Sequence, residues 1–191
     1  MTCFDLDGGD RRYLHLGCGS VNIPGFFHVD ILPGDHIDQV NRIDRLDFIA
    51  DNSVKMIYCS HALEHYGRFQ VVDVLKEWYR VLQPDGVLRL AVPDFAACVK
   101  IYYERGLRDG LSGLIGLVCG GQRNEYDFHR MIFDEPLLTR LLLHEARFRE
   151  VRRWDWRETT HAHIDDYSQA YLPHQDRENG QLMSLNLEAV K

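Results

Sequence analysis

Residues Gly17, Cys18 and Gly19 close the short apolar run Tyr13-Leu14-His15-Leu16, and Asp30 closes a second run, Phe26-Phe27-His28-Val29. A strand that ends abruptly in glycines leaves a turn with no Cβ, over which a ligand can approach the backbone. An acidic residue at the tip of the neighbouring strand can accept hydrogen bonds from both hydroxyls of a ribose. The two features together point to a nucleotide-like ligand at the carboxyl edge of a sheet; either alone is also an ordinary strand end. The row continues Ser20-Val21-Asn22, so the third glycine of the dinucleotide fingerprint is missing. That argues against a pyrophosphate-bearing cofactor such as NAD and for a ribose with no phosphate to cradle.

Histidine supplies the other candidate chemistry, with ten in the chain. His129 follows Tyr126-Asp127-Phe128, where Asp127 could orient the ring, and an imidazole near its ordinary pKa suits general-base work. His65 is the second choice for that base, and Asp94, in the turn after a strand, is the non-histidine alternative. His61, Glu64 and His65 form a His-x-x-Glu-His pattern that on a helix would put both imidazoles on one face, as in an inverted zinc-protease signature. No third ligand is evident from the sequence, so the reading expects no metal. A metal-dependent hydrolase using His61 and His65 is kept as an alternative.

The elements that must position these residues follow an alternating pattern. Val54 to Cys59 reads as a strand, and Phe69 to Leu82 carries apolar residues at Val71, Val74, Leu75, Trp78, Tyr79 and Leu82, the spacing of an amphipathic helix. Pro84-Asp85-Gly86 stops that helix, Val87 to Val92 is the next strand, and Pro93-Asp94 closes it. Strand, helix, tight turn and strand make a βαβ unit of a parallel sheet. The link from Gly19 to Phe26 is shorter than a usual parallel crossover, leaving room for one helical turn at most. Residues 95–126 break the alternation with a helix-like start and a glycine-rich stretch, and read as an insertion over the carboxyl edge of the sheet. Asp134 with Pro136 starts a helix bearing Leu137, Leu138, Leu141 and Leu142. Phe148 to Trp156 and Leu182 to Val190 read as the last two strands.

A chain of 191 residues, 45% hydrophobic, is long enough for one well-buried core and short for two. The reading is a single domain, with residues 1–10 as a loose N-terminal arm. A net charge of −7 argues against a nucleic-acid partner, which needs a basic face. The arginines at 147, 149, 152, 153 and 157 are the local exception, able to meet an anion or to form a solvated strand face. No apolar window is long enough for a membrane span. Five dispersed cysteines without a paired spacing suggest reduced thiols and a cytoplasmic protein.

In this order and spacing, "LHLGCG", "FFHVD", "DNSVKMIYCSHALEH" and "EWYRVLQPDGVLRLAVPD" resemble the class I S-adenosylmethionine-dependent methyltransferases, in particular the small bacterial ones. The resemblance implies a Rossmann-like α/β fold, a mostly parallel seven-stranded sheet with helices on both faces and the last strand antiparallel. It implies S-adenosyl-L-methionine as cofactor, its methionine end over Gly17, Cys18 and Gly19 and its ribose on Asp30. Ile43 and Asp44 would lie near the adenine, and Ser60 and His61 near the sulfonium. The acceptor would be a small molecule, with a hydroxyl of a sugar or similar metabolite preferred; a non-catalytic cofactor-binding module is a further alternative. A small or absent N-terminal cap leaves room for a homodimer. The sequence departs from the family's pattern at His15, where an acid usually stands, and at Arg147, where a glycine usually precedes the Phe. If Arg147 adopts the left-handed conformation, that costs on the order of 1 kcal/mol.

Overall fold

A computed structural model describes residues 12–106 and 110–191; the expected N-terminal arm lies outside them. In chain order the elements are β1 (Tyr13–Leu16), β2 (Phe27–Asp30), β3 (Gln39–Val40), β4 (Val54–Ser60), α1 (Val71–Val81), β5 (Leu82–Pro93) and α2 (Phe95–Ile101). There follow α3 (Ile115–Cys119), α4 (Glu135–Arg140), β6 (Glu150–Arg153), β7 (Tyr171–Leu172), β8 (Gln181–Leu182) and β9 (Ser184–Val190). Seven strands form one sheet in the order β3-β2-β1-β4-β5-β9-β6, while β7 and β8 form a separate hairpin. The pairs from β3 through β5 are parallel, and β9 runs antiparallel to both β5 and β6. This is the expected α/β sheet, with its closing strand inserted beside its neighbour.

Periodicity predicts the elements that bury most. Val71, Val74, Leu75, Trp78 and Val81 form the buried stripe of α1 and pack in the main core with Leu14, Leu16, Ile57 and Leu88 of the sheet. Trp78 also donates its indole N–H to Ile43 O at 2.8 Å, so a buried polar atom is satisfied. After α1 the chain enters β5 through a bulge: Leu82 pairs with Val54, and the next pair is Val87 with Met56. Gly86 permits it, because a Cβ there would stand 2.7 Å from Gln83 O and 3.1 Å from Val54 O, both backbone atoms.

Three stretches differ from the sequence reading. Gln39–Val40 pairs with Val29 and Asp30 as a seventh strand, too short to show any alternation. The strand expected over 148–156 narrows to β6, because Asp155 accepts from Arg157 N at 2.9 Å and caps a 3-10 turn at Trp156–Glu158. The final strand is divided at Met183, whose N–H goes to Ala170 O at 2.8 Å; Leu182 belongs to the hairpin and Ser184 onward to the sheet. Between Gly17 and Phe26 there are only turns, as the short link requires.

The arginine row resolves into internal pairs. Arg149 meets Asp85, Arg152 meets the buried Glu188, and Arg153 meets Glu135, each at 2.6 Å, while Arg157 meets Asp155 at 3.2 Å. Arg147, exposed after α4 and its π-helical last turn (Leu141–Glu145), has φ +68. This is the strained conformation its missing glycine implied. Arg147→Gly is expected to raise stability by about 1 kcal/mol, while Arg147→Ala leaves it nearly unchanged, as urea denaturation of the two variants would measure.

Candidate functional site

The carboxyl ends of β1, β2 and β4 open into a cavity of ≈ 1050 Å3 lined by the glycine turn, Asp30, Ser60 and His61. The same cavity is lined by Gly113, Leu117 and Tyr126 from the 95–126 stretch, and by Asp166, Tyr167 and Tyr171 from the segment before β9. Such a volume suits a nucleoside-sized ligand with a second small molecule beside it.

The glycine end is built by close approach. Gly17 sits at φ +65, and a Cβ on it would lie 2.5 Å from Ala62 Cβ, so the turn after β1 packs directly on the turn after β4. Gly19 is left-handed at φ +54 with open space where its Cβ would stand. Asp30, at the end of β2, accepts from Gly19 N (2.8 Å) and Leu32 N (2.9 Å), one on each carboxylate oxygen. Each oxygen keeps acceptor capacity toward the cavity, which is what a ribose diol requires. Cys18 contributes backbone only: its buried thiol is pushed up to about 12 by desolvation and is inert. Ile43 lines the cavity, and Asp44 does not. Asp44 holds the guanidinium of Arg42 (2.9 and 2.6 Å), and Arg42 is the residue that faces the cavity.

The other end gathers histidines. After β4 the chain turns at His61 (φ +51) into a single 3-10 turn, Leu63–His65. That break prevents the helical face on which His61 and His65 would pair. Instead the carbonyl of Glu64 accepts from Arg130 N (2.8 Å) and Met131 N (3.2 Å), docking residues 128–131 alongside. His129 and His65 thereby come together, their ring centroids 5.0 Å apart, and both line the cavity. His65 Nδ1 lies 3.1 Å from Phe128 O and His129 Nδ1 lies 2.9 Å from Leu117 O. A carbonyl only accepts, so in both rings Nδ1 carries the proton and Nε2 keeps its lone pair. Asp127, expected to orient His129, is instead held by Arg123 at 2.6 Å. Burial lowers the pKa of His65 and of His129, so both rings are neutral at pH 7.

Glu64 lies under the pair. Its side chain is 1% exposed, and neither carboxyl oxygen has a hydrogen-bond partner. Oε1 stands 3.7 Å from His129 Nε2 and 3.6 Å from His61 Nδ1. Burial pushes the Glu64 pKa up to about 8 and that of His61 down to about 3. The Ser184 hydroxyl donates to Asn186 Oδ1, so it takes a proton from His61 Nε2 (3.1 Å), which turns the lone pair on His61 Nδ1 toward Glu64. Glu64 escaped the sequence reading as a ligand because its partner His129 is brought in from a distant segment.

Asp94 is placed elsewhere. Its Oδ1 accepts from Ala96 N (2.9 Å) and Ala97 N (3.3 Å) as the N-cap of α2, and it does not line the cavity. Its capping role explains why an acid follows β5. Ser60 lines the cavity, but its hydroxyl is engaged with Asp166 O. Asp166 itself is buried beneath Tyr58, whose hydroxyl donates to it, and Ser168. His15 completes this layer among the rings of Phe26, His28 and Tyr58, its Nδ1 without a partner.

Comparisons with known proteins bear on the fold. Residues 33–90 match the family model described as a methyltransferase domain. Among solved structures, an S-adenosylmethionine-dependent methyltransferase from Archaeoglobus fulgidus aligns over 96% of this chain and 87% of its own, at 15% identity and a TM-score of 0.56. One from Methanosarcina mazei aligns over 94% and 91%, at 18% identity and a TM-score of 0.56. The 1,6-didemethyltoxoflavin-N1-methyltransferase of Burkholderia thailandensis, solved with its substrate and S-adenosylhomocysteine, aligns over 94% and 70%, at 17% identity and a TM-score of 0.54. No curated protein matches the chain. No helix among the described residues is long and apolar enough to cross a membrane.

The buried layer under the cavity carries a pH dependence. His15 is held down to about 3, first by burial and then by the nearby His28, His161 and His36. A depressed folded pKa means that its contribution is complete above about 6.5, where the unfolded ring is also neutral, and is lost as pH falls toward 3. Between pH 7 and pH 5 the wild-type chain should lose about 2 kcal/mol more than His15→Phe, which keeps the ring packing without the titration. Urea midpoints of both proteins at the two pH values measure it.

Proposed function

We propose that this chain is a class I S-adenosylmethionine-dependent methyltransferase, a reading supported by its sheet order and by the methyltransferase-domain match over residues 33–90, and that it methylates a hydroxyl of a small, sugar-like acceptor. The observation that carries the reading is one cavity with two unlike ends. Gly17, Gly19 and Asp30 form one, and His65 and His129, each with Nδ1–H on a backbone carbonyl and Nε2 free of a proton, line the other. The open space over Gly19 and the free acceptor capacity of Asp30 fit the cofactor's nucleoside, with Arg42 and Ile43 beside them. The bound cofactor supplies an electrophilic methyl group on sulfur.

The chain's own residues then have two tasks. Residues 113–126 and the segment around Tyr167 wall the cavity, so they align the acceptor and exclude water. A sugar or alcohol hydroxyl is a poor nucleophile at neutral pH, and losing its proton as the carbon–oxygen bond forms lowers the barrier. His129, with His65 second, meets that hydroxyl. Where nothing stands between ring and hydroxyl, Nε2 of His129 takes the proton while Nδ1–H stays on Leu117 O. The free thiols of Cys18, Cys59, Cys98 and Cys119 suit a reducing, cytoplasmic setting.

Two measurements test the reading. Titration calorimetry with S-adenosylhomocysteine should show binding, weakened about ten- to a hundredfold in Asp30→Ala, the worth of a hydrogen-bonded charged partner. Unchanged affinity in that variant would remove Asp30 from the ribose. With an accepted sugar or alcohol, His129→Ala should lower kcat by about a hundred- to ten-thousandfold with S-adenosylhomocysteine affinity intact. Near-normal turnover in both His129→Ala and His65→Ala would end the histidine assignment.

A further inference from the structure

We infer that Glu64, His65 and His129 form a binding site for one divalent first-row transition-metal ion at the acceptor end of the cavity. One ligand atom from each of the three residues lies within 4.8 Å of the other two. A carboxylate with two imidazoles is a donor set for zinc or iron-type ions that leaves coordination positions open for a substrate.

The orientation of the rings and the state of the Glu64 carboxyl support a cation here. First, both rings are pre-set as ligands, because each Nδ1–H is bonded to a backbone carbonyl, Phe128 O or Leu117 O. Outer partners of this kind fix the tautomer and aim the other nitrogen at a metal. Second, Glu64 is 1% exposed with both oxygens unpartnered, and a buried polar group in that state is costly. Electron-rich atoms converge on it: Oε1 of Glu64 faces the Nε2 of His129 at 3.7 Å and the Nδ1 of His61 at 3.6 Å. A positive ion among them satisfies the carboxyl and the lone pairs together. His65 and His129 line the cavity, which gives the ion an entry path.

The use assigned to the ion rests on the methyl-transfer reading. The acceptor's hydroxyl oxygen would take an open position on the cation, which lowers that hydroxyl's pKa. Its proton leaves to water, and the oxygen then forms its bond to the methyl carbon as the carbon–sulfur bond breaks. With the ion in place the imidazoles act as ligands and the proton does not go to Nε2. No electrons are exchanged with the metal, so any first-row ion of suitable geometry serves.

The test uses the full chain, stripped with a chelator and titrated with cobalt(II) chloride, followed by its visible ligand-field absorption. Zinc chloride competition and equilibrium dialysis give the stoichiometry and affinity. A single saturable cobalt ion per chain is expected, displaced by zinc. Glu64→Gln, His65→Ala and His129→Ala should each weaken binding by more than the roughly ten- to hundredfold that an outer partner carries. Circular dichroism checks that each variant is folded, and Asp30→Ala, at the far end of the cavity, should bind cobalt as the wild type does. Absence of saturable binding by the wild-type chain, or binding that survives both His65→Ala and His129→Ala, overturns the site. S-adenosylhomocysteine binding is measured on the same samples. A chain that binds the cofactor product but no cobalt ends the metal proposal alone, and one that binds cobalt but no cofactor product ends the methyl-transfer reading alone.

Discussion

The site depends on one close approach between two backbones. With φ +65 and no Cβ, Gly17 lets the turn after β1 press on Ala62, where a side-chain carbon would stand 2.5 Å from Ala62 Cβ. Gly19 then reaches Asp30 at the tip of β2, and Ser60 and His61 are held at the same edge. The turn that carries Ala62 goes on to Glu64, whose carbonyl fastens residues 130 and 131. A larger residue at 17 would therefore disturb both the Asp30 carboxylate and the distant segment that delivers His129. Parallel sheets make this possible, because adjacent strands release their carboxyl ends on one edge.

The two ends of the cavity differ in how they hold charge. Asp30 accepts from two backbone N–H groups, a fixed arrangement that costs little to maintain. At the other end desolvation governs: it pushes Glu64 up to about 8 and His61 down to about 3. Burial disfavours each charged form in turn, so the cluster is folded as a set of neutral groups. Neutral imidazoles are the useful form for accepting a proton or binding a cation. The desolvation that makes this region expensive to bury therefore also sets its chemistry.

Much of the fold is legible in the sequence because burial leaves a periodic trace. The stripe of α1, the apolar runs of β1, β2, β4 and β5, and the cap at Asp134 all survive in the structure. Gln39–Val40 has too few residues to carry a period, and the β7–β8 hairpin has only two residues in each strand. Both are held by tertiary contacts that no local pattern reports. The candidate site divides in the same way. Gly17, Gly19 and Asp30 are readable because each is at a strand end, whereas the meeting of His65 with His129 depends on backbone hydrogen bonds across more than sixty residues of chain. Asp94 and Asp44 both lie outside the cavity lining because each carboxylate is engaged elsewhere, Asp94 in capping α2 and Asp44 in holding Arg42. Neither engagement has a local sequence signal that separates it from a role at a ligand.

The orientation of His129 bears on which of these uses its lone pair has. In an acid–histidine–nucleophile triad the carboxylate sits behind the ring, on the protonated nitrogen, and stabilises the imidazolium that forms. Here a peptide carbonyl occupies that position, and the carboxyl of Glu64 lies on the lone-pair side instead. A carbonyl fixes the tautomer without a full negative charge, so it raises the ring's basicity less than a carboxylate would. An acid on the Nε2 side does not stabilise the imidazolium in the way a triad's acid does, so proton acceptance by His129 rests on the ring and its carbonyl partner alone. That placement does suit a positive ion shared between acid and ring, for which carboxylate and imidazole must converge on one point. His65 follows the same plan, with Phe128 O behind its ring. Two rings oriented by carbonyls, with one buried carboxyl near both and the cavity in front, serve as a base when no ion is bound and as a ligand set when one is.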